Sequence, residues 1–128
     1  MMGIRGSVTH AMAIGQRQCQ EDRYFYKRIS SGGRTGYLIA VMDGHNGDGA
    51  SEFCFQHINE NFSIRKSEDA EDALCSLVSK LANATTDFHA GTCLTVAYVD
   101  EIINQVSVAV LGDCPAIVID KNKQVHIS

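Results

Sequence analysis

The chain has 128 residues and a formal net charge of −4, enough length to bury about two thirds of its unfolded surface around one core. With 45% hydrophobic and 20% charged residues it has the composition of an ordinary globular domain, and the acidic balance argues against a nucleic-acid partner. The opening from Met1 to Gly6 contains no long apolar stretch, so it reads as neither a secretion signal nor a membrane span, and no membrane partner is expected.

Residues 7–14 and 23–29 are predicted strands, the second leading into a hairpin loop from Ser30 to Gly36. Tyr37 to Met42 is a continuous apolar run, which suits a strand covered on both faces and puts Asp43 at its end. From about Asp48 to Phe62 the spacing is helical, with Phe53 and Ile58 expected to face a sheet and His57 read as a partly exposed helix residue. A second helix is predicted from near Glu68 to about Asn83, with Ser67 as N-cap and Leu74, Leu77, Val78 and Leu81 forming a core stripe. Asp87 to Gly91 is a predicted loop, its Asp87 and His89 a solvated turn, before a strand over 92–99. Residues 105–111, 116–119 and 124–127 then complete an antiparallel meander. No repeat or linker interrupts the chain, so residues 1–128 read as one domain.

Five cysteines, at positions 19, 54, 75, 93 and 114, are an odd number without Cys-x-x-Cys spacing. That argues against a disulfide framework or zinc ribbon as the organising principle, and buried reduced thiols in a cytosolic protein are the simpler reading.

The stretch Val41-Met42-Asp43-Gly44-His45 carries the most chemistry. An ionised Asp43 at a half-buried strand end needs a cation or several donors. A divalent metal fits, and a turn at Gly44 would expose a carbonyl oxygen as a further hard ligand. His45 then stands beside the metal as an acid or base. Alone, the tripeptide is equally well a turn with a capping aspartate. The segment Gly15 to Asp22 adds Arg17, whose planar fork can grip a phosphoryl group. It also adds Glu21 and Asp22, which can extend a metal cluster directly or through water. The blander reading of that segment is a surface turn with an Arg–Glu pair.

Gly15-x-Arg17-x-x-x-Glu21-Asp22, then Val41-x-Asp43-Gly44-His45-x-Gly47, then Gly91-Thr92, then Leu111-Gly112-Asp113-Cys114 together resemble the PP2C family of metal-dependent protein serine/threonine phosphatases, over about residues 4–128. The resemblance implies an α+β fold, an αββα sandwich of antiparallel sheets flanked by helices. It implies Mg²⁺ or Mn²⁺, two per complete site, and a phosphoprotein substrate. It makes Asp43 the carboxylate bridging the two ions, Gly44 a ligand through its carbonyl, and Glu21 and Asp22 the acidic pair of the metal centre. Arg17 becomes the arginine that holds the substrate phosphate, His45 the general acid for the leaving oxygen, and Asp113 a contributor to a third, weaker metal site.

Family members carry two further aspartate motifs in the second half of their catalytic domain, and neither occurs among these residues. The usual Gly-Asp-Ser-Arg stands here as Gly112-Asp113-Cys114-Pro115. The chain therefore reads as the N-terminal part of such a domain, with a sandwich that is incomplete. A second chain is one way of completing the sheet edges. The alternatives are a pseudophosphatase, a binding or regulatory module that keeps the fold without activity, or a fragment with no role of its own.

Overall fold

The computed structural model describes residues 22–31, 33–45, 47–86, 91–112, 117–119 and 122–127. The predicted strand over 7–14 lies outside them. Strands β1 (Arg23–Ser31), β2 (Arg34–His45), β3 (Gly91–Asp100) and β4 (Gln105–Leu111) form one antiparallel sheet in the order β1-β2-β3-β4. Helices α1 (Gly49–Asn61) and α2 (Ala70–Ala84) lie between β2 and β3 in the chain. β5 (Ile117–Ile119) and β6 (Val125–Ile127) pair with each other as a separate two-stranded sheet. Among the described residues the expected continuous meander is thus broken after β4, where Gly112 takes a φ of 97°.

The fold is α+β, with both helices on one face of the four-stranded sheet. Leu38, Ala40 and Met42 of β2 and Leu94, Val96 and Tyr98 of β3 meet Cys54 and Ile58 of α1 and Leu74, Leu77 and Leu81 of α2 in a single core. The predicted leucine stripe of α2 is therefore buried, and Val78 is partly so. On α1, Ile58 is buried as expected, while Phe53 packs at the core's margin with its ring 4.3 Å from that of His57.

The reading of 37–42 as covered on both faces does not hold among the described residues. Burial along β2 alternates, and Val41 is 49% exposed. The second face is nonetheless apolar, with Tyr24, Tyr26, Ile39, Val41, Ala97, Val99 and Val108 along it. The hairpin before β2 is also tighter than predicted, because Arg34, Thr35 and Gly36 pair with Ser31, Ser30 and Ile29. The thiols are not uniformly buried: Cys54 is, and burial pushes it up to about 11, but Cys75 is exposed.

Helix α2 begins later than Ser67 because Arg34 intervenes. Its Nη1 donates to the carbonyls of Arg65 (3.2 Å) and Glu68, while Nε and Nη2 reach Asp100 Oδ2 at 3.1 and 2.7 Å. The loop is pinned through Glu68, and Asp69 becomes the N-cap, accepting from Glu71 N at 2.8 Å.

Gly36 shows why one position in β2 must lack a side chain. A Cβ there would meet the Val99 carbonyl and lie 2.8 Å from the Tyr98 hydroxyl. Backbone cannot yield as a flexible side chain would, so Gly36→Ala should destabilise by about 1–3 kcal/mol. Thermal melting checks this, and an unchanged midpoint would show that the strands can separate at that point.

Candidate metal centre

Antiparallel pairing sends the start of β1, the end of β2, the start of β3 and the end of β4 to the same end of the sheet. Arg23, Met42, Leu94 and Leu111 form the last rung shared by all four strands. One step further along the chains stand Asp22, Asp43, Cys93 and Gly112. The described residues of all four sequence motifs therefore arrive at one place.

Side chains alternate along a strand, and Met42 and Leu94 point into the helix-covered core. Asp43 and its cross-strand neighbour Cys93 consequently point to the opposite face. Asp43 is exposed, and Asp22 is half-buried with its Oδ1 shut off from solvent. Asp22 directly precedes β1 and Asp43 lies in β2, each one step past the Arg23–Met42 rung. Their oxygens, with the backbone carbonyls at this end, are the hard donors that Mg²⁺ and Mn²⁺ take.

Thr92 braces the same corner. Its Oγ1 lies 2.9 Å from its neighbour's carbonyl at Cys93 and 3.3 Å from the carbonyl of Asp43. Gly44 is buried and sits in β2 opposite Thr92, so the expected turn is not there. The turn falls at Gly47, where φ is 111° and a side chain would be strained. Asp48 and the start of α1 come immediately after it.

Of the residues singled out from sequence, Asp22, Asp43 and Gly44 are brought together at this end. His45 closes β2 opposite Gly91. Arg17, Glu21 and Asp113 lie outside the described residues, as do Asp87 and His89. Among the described residues no group of three or more His, Cys, Asp or Glu side chains is placed to hold a metal ion. His57 is engaged with Glu60 on its own helix, in keeping with its reading as a helix residue.

Residues 7–128 match the model of the family Protein phosphatase 2C. The chain belongs to that family. PP2C enzymes are metal-dependent protein phosphatases that generally use Mg²⁺ or Mn²⁺ and act on phosphoproteins. No described helix is long and apolar enough to cross a membrane.

Sequence reasoning passed over the cluster behind this end of the sheet. Arg23 donates from Nε to Glu52 Oε2 (2.6 Å) and from Nη2 to Asp48 Oδ2 (3.1 Å). The Glu52 hydrogen bond and charge, with Asp48, hold the guanidinium above the usual arginine range despite burial. The signal was an arginine directly after the acidic pair, but its partners lie 25 and 29 residues away.

Proposed function

We propose that this chain forms the metal-binding and phosphate-binding part of a centre that hydrolyses phosphoserine and phosphothreonine in proteins. Membership of the PP2C family supports the reaction class. The observation that carries the reading to these residues is the convergence of Asp22, Asp43, Gly44 and Thr92 on one end of the sheet.

In this reading Asp43 and Asp22, with Glu21, the Gly44 carbonyl and Asp113, hold Mg²⁺ or Mn²⁺. Bound divalent ions supply charge neutralisation and an activated water for in-line displacement at phosphorus. Arg17 grips the non-bridging phosphate oxygens through its fork, opposing the charge of the transferring group. His45 donates a proton to the departing serine or threonine oxygen, a contribution typically worth about 10²–10⁴-fold. The products are the free hydroxyl and inorganic phosphate. A cytoplasmic or nuclear setting is proposed with it, and so is a second chain along β1 and β4, the edge strands among the described residues.

The role of Arg17 is tested by fluorescence anisotropy with a phosphoserine peptide and its unphosphorylated twin in the presence of Mn²⁺. The chain should prefer the phosphopeptide, and Arg17→Ala should lose about tenfold of that preference, the weight of one charge-assisted contact, with its melting temperature nearly unchanged. Equal binding of both peptides contradicts the proposal, and a large loss of stability would mean that Arg17 braces the fold.

A further inference from the structure

Arg23 is the first residue of β1 and comes directly after Asp22. Besides Glu52 and Asp48, its guanidinium reaches back from Nη1 to the carbonyl of Asp22 at 2.8 Å. Three pieces of chain meet on it: the segment entering β1, the turn after His45, and the first turn of α1. Arg23 shares its rung with Met42, so it points to the helix side while Asp22 and Asp43 occupy the next step along the pleat. Its link to Asp22 is therefore through backbone, from the helix side of the sheet.

Two details indicate what the cluster is arranged for. Asp48 is the N-cap residue of α1, yet its side chain makes no capping hydrogen bond. An aspartate there normally accepts from a helix amide, and this one is turned to Arg23 instead. Glu52 is itself held by Gln56 Nε2 at 3.0 Å, one helical turn on. One of the two carboxylate acceptors is thus held by its own helix as well as by the arginine.

We propose that Arg23 is a positioning residue for the cation centre, locking the Asp22 backbone against the turn after Asp43-Gly44-His45. The proposal rests on the reading of this sheet end as a metal centre. Lysine cannot replace it, because three acceptors in different directions match a planar fork and not a point charge. Residues that orient metal ligands from behind typically change metal affinity by about 10–100-fold when substituted.

The strand carries its own control. At its far end Arg28 makes a similar pair with Glu101, at 2.8 and 3.2 Å, but is 59% exposed and remote from Asp43. Mn²⁺ affinity of the full chain, read from the electron paramagnetic resonance signal of free Mn²⁺, should weaken about tenfold or more in Arg23→Lys. Asp48→Asn, which keeps a good N-cap residue, should weaken it in the same direction. Arg28→Gln should stay within about twofold of the parent chain, and Arg23→Lys, which retains the charge, should melt close to it. Parent-like affinity in Arg23→Lys, with binding lost in Asp43→Asn, would overturn the positioning role alone. Equal Mn²⁺ uptake by the parent chain and Asp43→Asn would instead remove the metal reading, and this proposal with it. Parallel losses of affinity and melting temperature in Arg23→Lys and Arg28→Gln would show general loosening, and that too would overturn the role.

Discussion

Asp100→Ala should lower the melting temperature by roughly 10–20 °C. Asp100 and Arg34 are 2% and 8% exposed, and the pair joins the β3–β4 turn to the loop before α2. Asp100 Oδ1 also accepts from the amides of Ile102 (2.8 Å) and Ile103 (3.3 Å). Removing one member of a buried pair leaves the other charge uncompensated, at about 3–5 kcal/mol. For a chain of this size each kcal/mol moves the midpoint by roughly 3–5 °C. The double variant Arg34→Met with Asp100→Ala should lose less than the sum of the singles. Additive losses would mean that the two side chains act independently.

The same pair sets an acid limit. Burial alone would push the Asp100 carboxyl up, but the Arg34 hydrogen bonds and the two turn amides outweigh it and hold the group below the usual carboxylate range. A depressed folded value means that the unfolded chain binds the proton more readily. The stabilisation is therefore complete above about pH 4, the ordinary aspartate value, and is lost as pH falls through the folded one. Asp100→Asn should approach the parent chain's stability only below about pH 4, as followed by urea melts across pH.

Asp43→Asn should abolish Mn²⁺ binding by calorimetry, the largest functional effect expected of a single change. Asn keeps the shape of the side chain and one acceptor but removes the charge that a hard cation requires. The proposed donors Asp43, Asp22, Glu21, the Gly44 carbonyl and Asp113 can hold one ion with the help of water, whereas a second would lack carboxylates to fix it. The chain should accordingly hydrolyse p-nitrophenyl phosphate little faster than Asp43→Asn. Robust Mn²⁺-dependent turnover absent from that variant would show that a second copy or a further carboxylate completes the centre.

The helices and the core stripe at Leu74, Leu77 and Leu81 were legible because periodicity alone decides which face of a helix is apolar. The rung holding Asp22 and Asp43 was half legible. Motif order identified the residues, but only the pairing of Arg23 with Met42 and Gly44 with Thr92 places them at one end of the sheet. Gly44 was misread as a turn because residue type suggests where a chain can bend, while cross-strand pairing decides where it does. Ile39 and Val41 misled in a related way: an apolar face records what can be buried, not what covers it. Arg34, capturing carbonyls 31 and 34 residues away, moved the N-cap from Ser67 to Asp69, and no local pattern carries that information.

The location of the centre is tested most directly by titrating Mn²⁺ into the isotope-labelled chain and recording which backbone amide signals broaden. Broadening should appear first at Asp22, Asp43, Gly44 and Thr92. It should leave the turn from Asp100 to Gln105, about 24 Å along the strands at ordinary β spacing, unaffected, and should vanish in Asp43→Asn. Broadening centred on the acidic first turn of α2, at Glu71 and Asp72, or persisting unchanged in Asp43→Asn, would contradict a metal centre at this end of the sheet.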